Sequence, residues 1–279
     1  MIGLARERQD TAAEGRHLGN LALAYYRMGD VKQALAHFQQ ALACAQQEGD
    51  KAMQSGVLGN MGNILRESGQ HDDAIRYLNH ALLLSQENGD TRGRGIWLSN
   101  LGLVFNDVKQ YAQAMRYHEQ ALGVARQLAD RTQIALRLTH LAACCEGQHD
   151  FDAALTHLEE AASIYQIIMR HESAATCLLR MCGLKVRAGQ QAYQHGEKQQ
   201  AEQYYADSLE YAQQALDLGQ EVGARLVQAD ALHAIAQGLL VLNERDNALA
   251  YFKAAQRQYV ALNMGDKALR IKRLVEQMT

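Results

Sequence analysis

The chain repeats itself every forty residues, and this period constrains its fold more than any other feature. An alanine followed by an apolar residue returns four times at this spacing, and another alanine follows each of them seven residues later: Ala34, Ala74, Ala114 and Ala154, then Ala41, Ala81, Ala121 and Ala161. Self-similarity at such a period is typical of solenoids, in which each unit buries its apolar face only against its neighbours. The sequence therefore predicts a repeat array whose core grows by stacking.

Each repeat is predicted to contain two antiparallel helices. Proline is absent from the chain, and apolar residues in the first repeat recur at helical spacing at Leu18, Leu21, Ala22 and Tyr25. A second stripe of this kind begins after Gly29-Asp30. Glycine ends a helix readily in the left-handed conformation, and aspartate caps the N-terminus of the next one. The recurrent Gly-Asp pairs therefore predict the turns.

The repeats are assigned by extending the period along the chain. The first four span residues 11–50, 51–90, 91–130 and 131–170, and a downstream Ala-Leu pair then realigns only after fourteen extra residues. If the fourteen extra residues are divided equally between two helices, repeat 171–223 contains a lengthened hairpin. Its helices are predicted near 172–194 and 198–220, with a turn at Gly196. The sixth repeat spans 224–266, and residues 267–279 form a charged capping helix. The predicted fold class is all-α, a right-handed superhelical solenoid of about six helix-turn-helix repeats plus a C-terminal capping helix.

Residues 1–10 resemble the end of a second helix from a preceding repeat, because Asp10 lies forty residues before Asp50. This favours a chain that is part of a longer protein. The alternative is that one unpaired helical turn forms the N-terminal cap of the array.

Composition argues against several functional classes. The net charge is -3, so there is no overall attraction to nucleic acid or to anionic membranes. No apolar run reaches the roughly 18 residues of a membrane span, and the start lacks a signal segment, so a cytoplasmic location is expected. Five cysteines without paired ligand spacing predict buried reduced thiols, with no metal site and no cofactor. Catalytic motifs are also missing, so we expect no enzyme activity.

The repeat resembles the tetratricopeptide repeat. Gly62, Ala74 and Ala81 match the three small positions at which its helices pack, and Leu65 matches a bulky one. The forty-residue length is most similar to the arrays of kinesin light chains, of Pins-like adaptors and of C-terminal sensor arrays in bacterial signalling proteins, including STAND-type NTPases.

This resemblance implies a binding module with no enzymatic activity, which holds an extended peptide or a partner helix in its concave groove as the sensor or interaction part of a larger signalling protein. In the family, an asparagine in the register of Asn20, Asn60 and Asn100 holds peptide backbone, and His140 and Arg180 continue that register with a preference for acidic groups. The expected peptide-binding residues are Asn20, Asn60, Asn63, Arg66, Asn100, Asn106, His140 and Arg180.

Three alternatives stay open at the level of sequence. The asparagines are also consistent with a solvated face or with satisfied backbone groups at the repeat junctions. The small residues before them, Gly19, Gly59, Ser99 and Thr139, leave room either for a ligand or for close packing, and Trp97 suits interhelix packing better than a ligand platform. Finally, the array has an architectural alternative, self-association through its open first end or its long hairpin.

Overall fold

The computed structural model of the protein describes residues 1–278, with the side chain of Arg6 excepted. Fourteen α-helices and no β-strand occupy those residues. The helices are α1 (Ile2–Glu7), α2 (Thr11–Arg27), α3 (Val31–Gln47), α4 (Lys51–Glu67), α5 (His71–Glu87), α6 (Thr91–Asp107), α7 (Tyr111–Gln127), α8 (Arg131–Gly147), α9 (Phe151–Ile167), α10 (His171–Gln194), α11 (Lys198–Glu221), α12 (Arg225–Val241), α13 (Arg245–Ala261) and α14 (Gly265–Met278). The predicted all-α repeat fold is thereby confirmed.

Capping chemistry explains where many of the helices begin. Asp30, Asp50 and Asp90 each accept a hydrogen bond from the backbone N–H three residues later, at 2.8–3.0 Å. Such a cap satisfies one of the donors that a helix N-terminus leaves without an intrahelical partner. Gly29 precedes the first of these aspartates with φ +83°, a conformation that glycine adopts at low cost. Lys109 has φ +61° at the corresponding turn of the third repeat, so a glycine is not essential there.

The helices pack in consecutive pairs, each pair forming one repeat. In each pair the first helix (α2, α4, α6, α8, α10 or α12) lies against the following second helix, while α1 lies on α2 and α14 on α13. The chain divides into two compact units, unit 1 from Met1 to Asp130 and unit 2 from Arg131 onward. Within unit 1 the first helix α4 also contacts α6, and within unit 2 α10 contacts α12. Successive first helices are therefore direct neighbours in both units.

Small residues let the two helices of a repeat approach closely. Ala34, Ala74 and Ala114 are completely buried at the helix crossings. Opposite Ala74, a Cβ atom placed on Gly62 would lie only 2.7 Å from Leu78 Cγ and 3.3 Å from the Ala74 carbonyl oxygen. The alanine and glycine positions that repeat every forty residues are thus the contact points of the array.

Trp97 joins neighbouring repeats inside unit 1. Its side chain is 7% exposed, and its Nε1 donates a 2.9 Å hydrogen bond to Ser55 Oγ. That hydroxyl in turn donates to the Ala81 carbonyl at 2.8 Å. A Cβ atom on Gly59 would overlap the indole ring. The interpretation of Trp97 as a packing residue is therefore confirmed, and packing accounts for the glycine at position 59.

The fifth repeat contains the longest helices. Both α10 and α11 have 24 residues, compared with 17 in each helix of the preceding repeats, and Gly196 takes φ +83° in the turn between them. Gly189 lies inside α10, where an added Cβ would be 2.8 Å from the ring of Tyr205. An ion pair between Lys185 Nζ and Asp207 Oδ2, 2.9 Å apart, joins the two helices.

Within residues 1–278 no helix combines the length and the apolar character required to cross a bilayer.

The glycines of α4 provide a matched pair of substitutions. We expect Gly59→Ala to lower the free energy of unfolding by about 1–3 kcal/mol, because the methyl group would overlap Trp97. At Gly56 of the same helix an added Cβ would meet nothing within 4 Å. Gly56→Ala should therefore raise the free energy of unfolding by up to about 1 kcal/mol through helix propensity. Urea unfolding followed by circular dichroism and by Trp97 fluorescence measures both, and effects of the same sign would contradict this account.

The Lys185–Asp207 pair predicts a pH dependence. Burial alone would raise the pKa of Asp207, but hydrogen bonds from Lys185 and Gln203 and the charge of Lys185 hold this pKa below its ordinary value of 3.8. A depressed carboxyl pKa contributes stability that is complete above the unfolded pKa and is lost as pH falls through the folded one. The difference in melting temperature between wild type and Asp207→Asn should accordingly be largest at pH 6 and should shrink below pH 3.8.

Asp217 is the control for this titration, because it is exposed on the same helix and contacts Gln213. Asp217→Asn should change the melting temperature little at any pH. A difference for Asp207→Asn that is constant from pH 6 to pH 2.5 would show that the ion pair does not contribute as described.

Candidate functional site

Three asparagines occupy the same position on the first helices of unit 1. Asn20, Asn60 and Asn100 are each the tenth residue of α2, α4 and α6. Asn20 is exposed and the other two are half-buried. In the described part of the chain their carboxamides form no hydrogen bond with another residue, although Asn100 Nδ2 is shielded from solvent. Three carboxamides in one register thus retain their donors and acceptors.

The small residues that precede Asn20, Asn60, Asn100 and His140 lie in different environments. Gly59 makes room for Trp97, Ser99 is buried, and Thr139 Oγ1 donates to the Leu136 carbonyl at 2.8 Å. Gly19 differs, since a Cβ atom there would meet nothing within 4 Å. Of the two alternatives, room for a ligand and close packing, close packing applies at Gly59, where the indole fills the space.

Arg66 belongs to a chain of polar contacts across three first helices. Its guanidinium lies 2.9 Å from Asp107 on α6 and 3.3 Å from Glu67, and the hydroxyl of Tyr26 on α2 donates to Glu67. The Arg66 side chain is only 19% exposed. The positive charge of Arg66 is thus paired with two carboxylates of the protein itself.

Asn63 and Asn106 are half-buried on α4 and α6, one to two turns beyond the central asparagines. Asn106 already has a polar partner within the chain, whereas Asn63 forms no hydrogen bond with another described residue. Asn63 is therefore the better candidate for extending the row of carboxamides.

His140 and Arg180 hold the same register on α8 and α10 of unit 2. Arg180 donates to Glu146 Oε1 from Nε at 3.2 Å and from Nη2 at 2.5 Å, and its Nη1 donates to the Thr139 carbonyl at 3.1 Å. The contact with Thr139 places the guanidinium beside the backbone of half-buried His140. Arg180 is thus anchored to α8 by the Glu146 carboxylate.

Neighbouring first helices meet through residues 41 positions apart. Tyr26 contacts Glu67, Arg66 contacts Asp107, and Arg180 contacts Thr139. Complementary side chains at this separation are a sequence signal for contacts between repeats, and this signal would have identified Asp107 as a partner of Arg66.

A pocket in unit 2 contains residues that the forty-residue register does not indicate. It has a volume of about 720 Å³ and lies between α10 and α12, with Lys267 of α14 at its edge. Arg187, Gly183 and Gln237 line it together with His233, whose buried position lowers its pKa. Gly183 and Arg187 lie three and seven residues after Arg180, so helical spacing is the signal that places all three on one face.

Three of the thiols are poor nucleophiles. Burial raises the pKa of Cys144, Cys177 and Cys182 to about 11, with a further rise at Cys144 from Cys145. At neutral pH almost none of the reactive thiolate is present. All five cysteines are free thiols, and in residues 1–278 no three or more His, Cys, Asp or Glu side chains are placed to hold a metal ion.

Several solved structures share the fold at low sequence identity. A STAND protein with a tetratricopeptide repeat sensor from Pyrococcus horikoshii matches 98% of this chain and 40% of its own length, with a TM-score of 0.73 and 12% identity. The apo form of RapI matches 95% of this chain and 97% of its own, with a TM-score of 0.67 and 12% identity. A Rap protein complexed with competence and sporulation factor covers 94% and 73%, with a TM-score of 0.52 and 16% identity.

No curated protein sequence matches the chain significantly. The model of the tetratricopeptide repeat family, in contrast, matches residues 10–87, 54–127 and 93–167, which together make up more than half of the chain. Members of this family are typically interaction modules without catalytic activity. With its paired helices and small contact residues, the chain belongs to the tetratricopeptide repeat family.

Proposed function

We propose that the first-helix face of unit 1 binds an extended segment of a partner protein, with Asn60 and Asn100 holding its main chain. The observation that carries this proposal is the row of three carboxamides, at one register of α2, α4 and α6, that form no hydrogen bond within the described chain. A carboxamide both donates and accepts, so it pairs with a peptide group whatever side chain follows.

The electrostatics of this face support an interaction with the main chain. Arg66, six residues after Asn60 on α4, has its charge paired with Asp107 and Glu67. The row itself consists of neutral side chains. Neutral groups are desolvated at lower cost than charged ones, which favours a ligand that presents amide groups.

The role of the module in its parent protein is the second part of the proposal. We infer that it acts as the interaction or sensor part of a signalling protein. The structural matches include a STAND protein with a repeat sensor and a Rap protein complexed with a factor, and these support a fold suited to that role.

The test uses the full chain to select binders from a phage-displayed library of random twelve-residue peptides. A selected peptide is then titrated against wild type and against Asn60→Ala/Asn100→Ala, by calorimetry and by the fluorescence of Trp97, the single tryptophan. Loss of two sets of amide hydrogen bonds, at about 0.5–1.5 kcal/mol per bond, should weaken binding roughly tenfold to a hundredfold. Methylation of alternate peptide nitrogens in the ligand should weaken it similarly.

Asn79→Ala is the matched control, because Asn79 is exposed in the middle of the second helix α5. It should leave the affinity unchanged, and circular dichroism should show the same helicity for all variants. Affinity of the double variant within twofold of wild type would refute the proposal. So would a dimer that dissociates in the double variant, since a second copy of the chain would then occupy this face.

A further inference from the structure

The pocket between α10 and α12 has the size of a ligand site. Its volume of about 720 Å³ falls within the roughly 300–1,000 Å³ range that is usual for small-molecule pockets. Leu179 and Val186 of α10 and Leu226 and Val227 of α12 supply apolar lining. Leu226 is 42% exposed. The pocket therefore offers apolar contact to a ligand.

Gly183 keeps one wall of this pocket open. It lies in the interior of α10, where glycine costs about 1 kcal/mol relative to alanine. A Cβ atom at this position would meet nothing within 4 Å, whereas at Gly189 of the same helix it would be 2.8 Å from Tyr205. Packing thus explains Gly189 and does not explain Gly183. The missing side chain leaves space directly over the helix backbone.

Two arginines flank this space. Arg180 precedes Gly183 by three residues and Arg187 follows it by four, so all three lie on one face of α10. Both arginines contact the same carboxylate: Glu146 lies 2.5 Å from Arg180 and 4.0 Å from Arg187. Two positive charges share one negative charge there, and the Arg187 side chain stays 55% exposed.

The other charged groups of the pocket do not cancel this excess. Lys267 and Asp230 form their own 2.7 Å ion pair, and the Tyr259 hydroxyl donates to the same Asp230 oxygen. Glu172 lies eleven residues before Gly183, which is about 16 Å along the helix. That distance exceeds the screening length of about 8 Å at physiological salt. Close to Gly183, the positive charges of Arg180 and Arg187 therefore outnumber the single negative charge of Glu146.

The facing helix contributes polar groups. His233 lines the pocket from α12, and its Nε2 is shielded from solvent without a hydrogen-bond partner in the described chain. Gln237 lies one turn later on the same face. A ligand with oxygen acceptors would provide these groups with partners.

We infer that this pocket binds a carboxylate joined to an apolar group. Arg187 and the spare donors of Arg180 hold the carboxylate over Gly183, and Leu179, Val186 and Leu226 contact the apolar part. A bidentate guanidinium–carboxylate contact is among the strongest polar interactions available to such a site. The C-terminus of a peptide and a free apolar carboxylic acid share this chemistry. The site lies within unit 2, so it is independent of the function proposed for unit 1.

The test compares acids with their uncharged analogues on the full chain. The probes are acetyl-Leu-Leu with a free carboxyl, its C-terminal amide, octanoate and octanamide, titrated by calorimetry at low salt. We expect at least one acid to bind ten or more times more tightly than its amide, and to weaken when salt is raised to 0.5 M. Binding by the peptide acid alone identifies a peptide C-terminus, and binding by octanoate alone identifies a small carboxylic acid. Equal binding of acid and amide, or no binding by either acid at 5 mM, overturns the inference.

Two variants locate the site. Arg187→Gln should weaken acid binding at least fivefold, and Gly183→Leu should abolish it by filling the open space while both arginines remain. Arg257→Gln is the control, because Arg257 is exposed on the second helix α13. The melting temperature of each variant establishes that it is folded. Acid binding unchanged in both pocket variants would place the ligand elsewhere, and Asn60→Ala/Asn100→Ala should leave it intact.

Discussion

The close approach of two helices at an alanine or glycine is the constraint on which the rest of the structure depends. Ala34 and Ala74 have no exposed surface, and Leu78 Cγ lies only 2.7 Å from where the Cβ of a side chain on Gly62 would be. Only a hydrogen atom or a methyl group fits between helices at such a distance. Because each crossing fixes how one repeat is folded, its recurrence every forty residues places successive first helices side by side. The interrepeat contacts of Trp97, Arg66 and Arg180 all follow from that arrangement.

This dependence explains why the fold was predictable from sequence. The small contact residues, the aspartate caps and the turn residues act locally, so each type of residue recurs in the sequence with the forty-residue period. Even the longer helices of the fifth repeat follow from an offset of fourteen residues, with Gly196 in the turn. A glycine alone would have been ambiguous, since Gly189 lies nearby inside α10, where it accommodates Tyr205.

The candidate site was predictable in position but not in chemistry. The period places Asn20, Asn60 and Asn100 in one register because the helices themselves repeat. It says nothing of side-chain partners, which depend on rotamers and on residues in the next repeat. Arg66 and Arg180 looked in sequence like available cations, yet each is held by a carboxylate on a neighbouring first helix. Likewise, sequence could not decide between ligand room and close packing at Gly59, because the Trp97 that packs against it is distant along the chain.

The two candidate sites differ in a way that the scaffold itself permits. In unit 1 Arg66 is paired with Asp107 and Glu67, and the proposed binding groups are neutral carboxamides, which suit the peptide main chain and discriminate little between sequences. In unit 2 two arginines share Glu146 beside an apolar wall, which selects for a charge and a shape. Substituting surface residues on first helices leaves the alanine and glycine contacts untouched, so each repeat is free to vary its binding chemistry. A solenoid can therefore combine general affinity in one part of its length with selectivity in another, because the binding side chains are other than the alanines and glycines at the helix crossings.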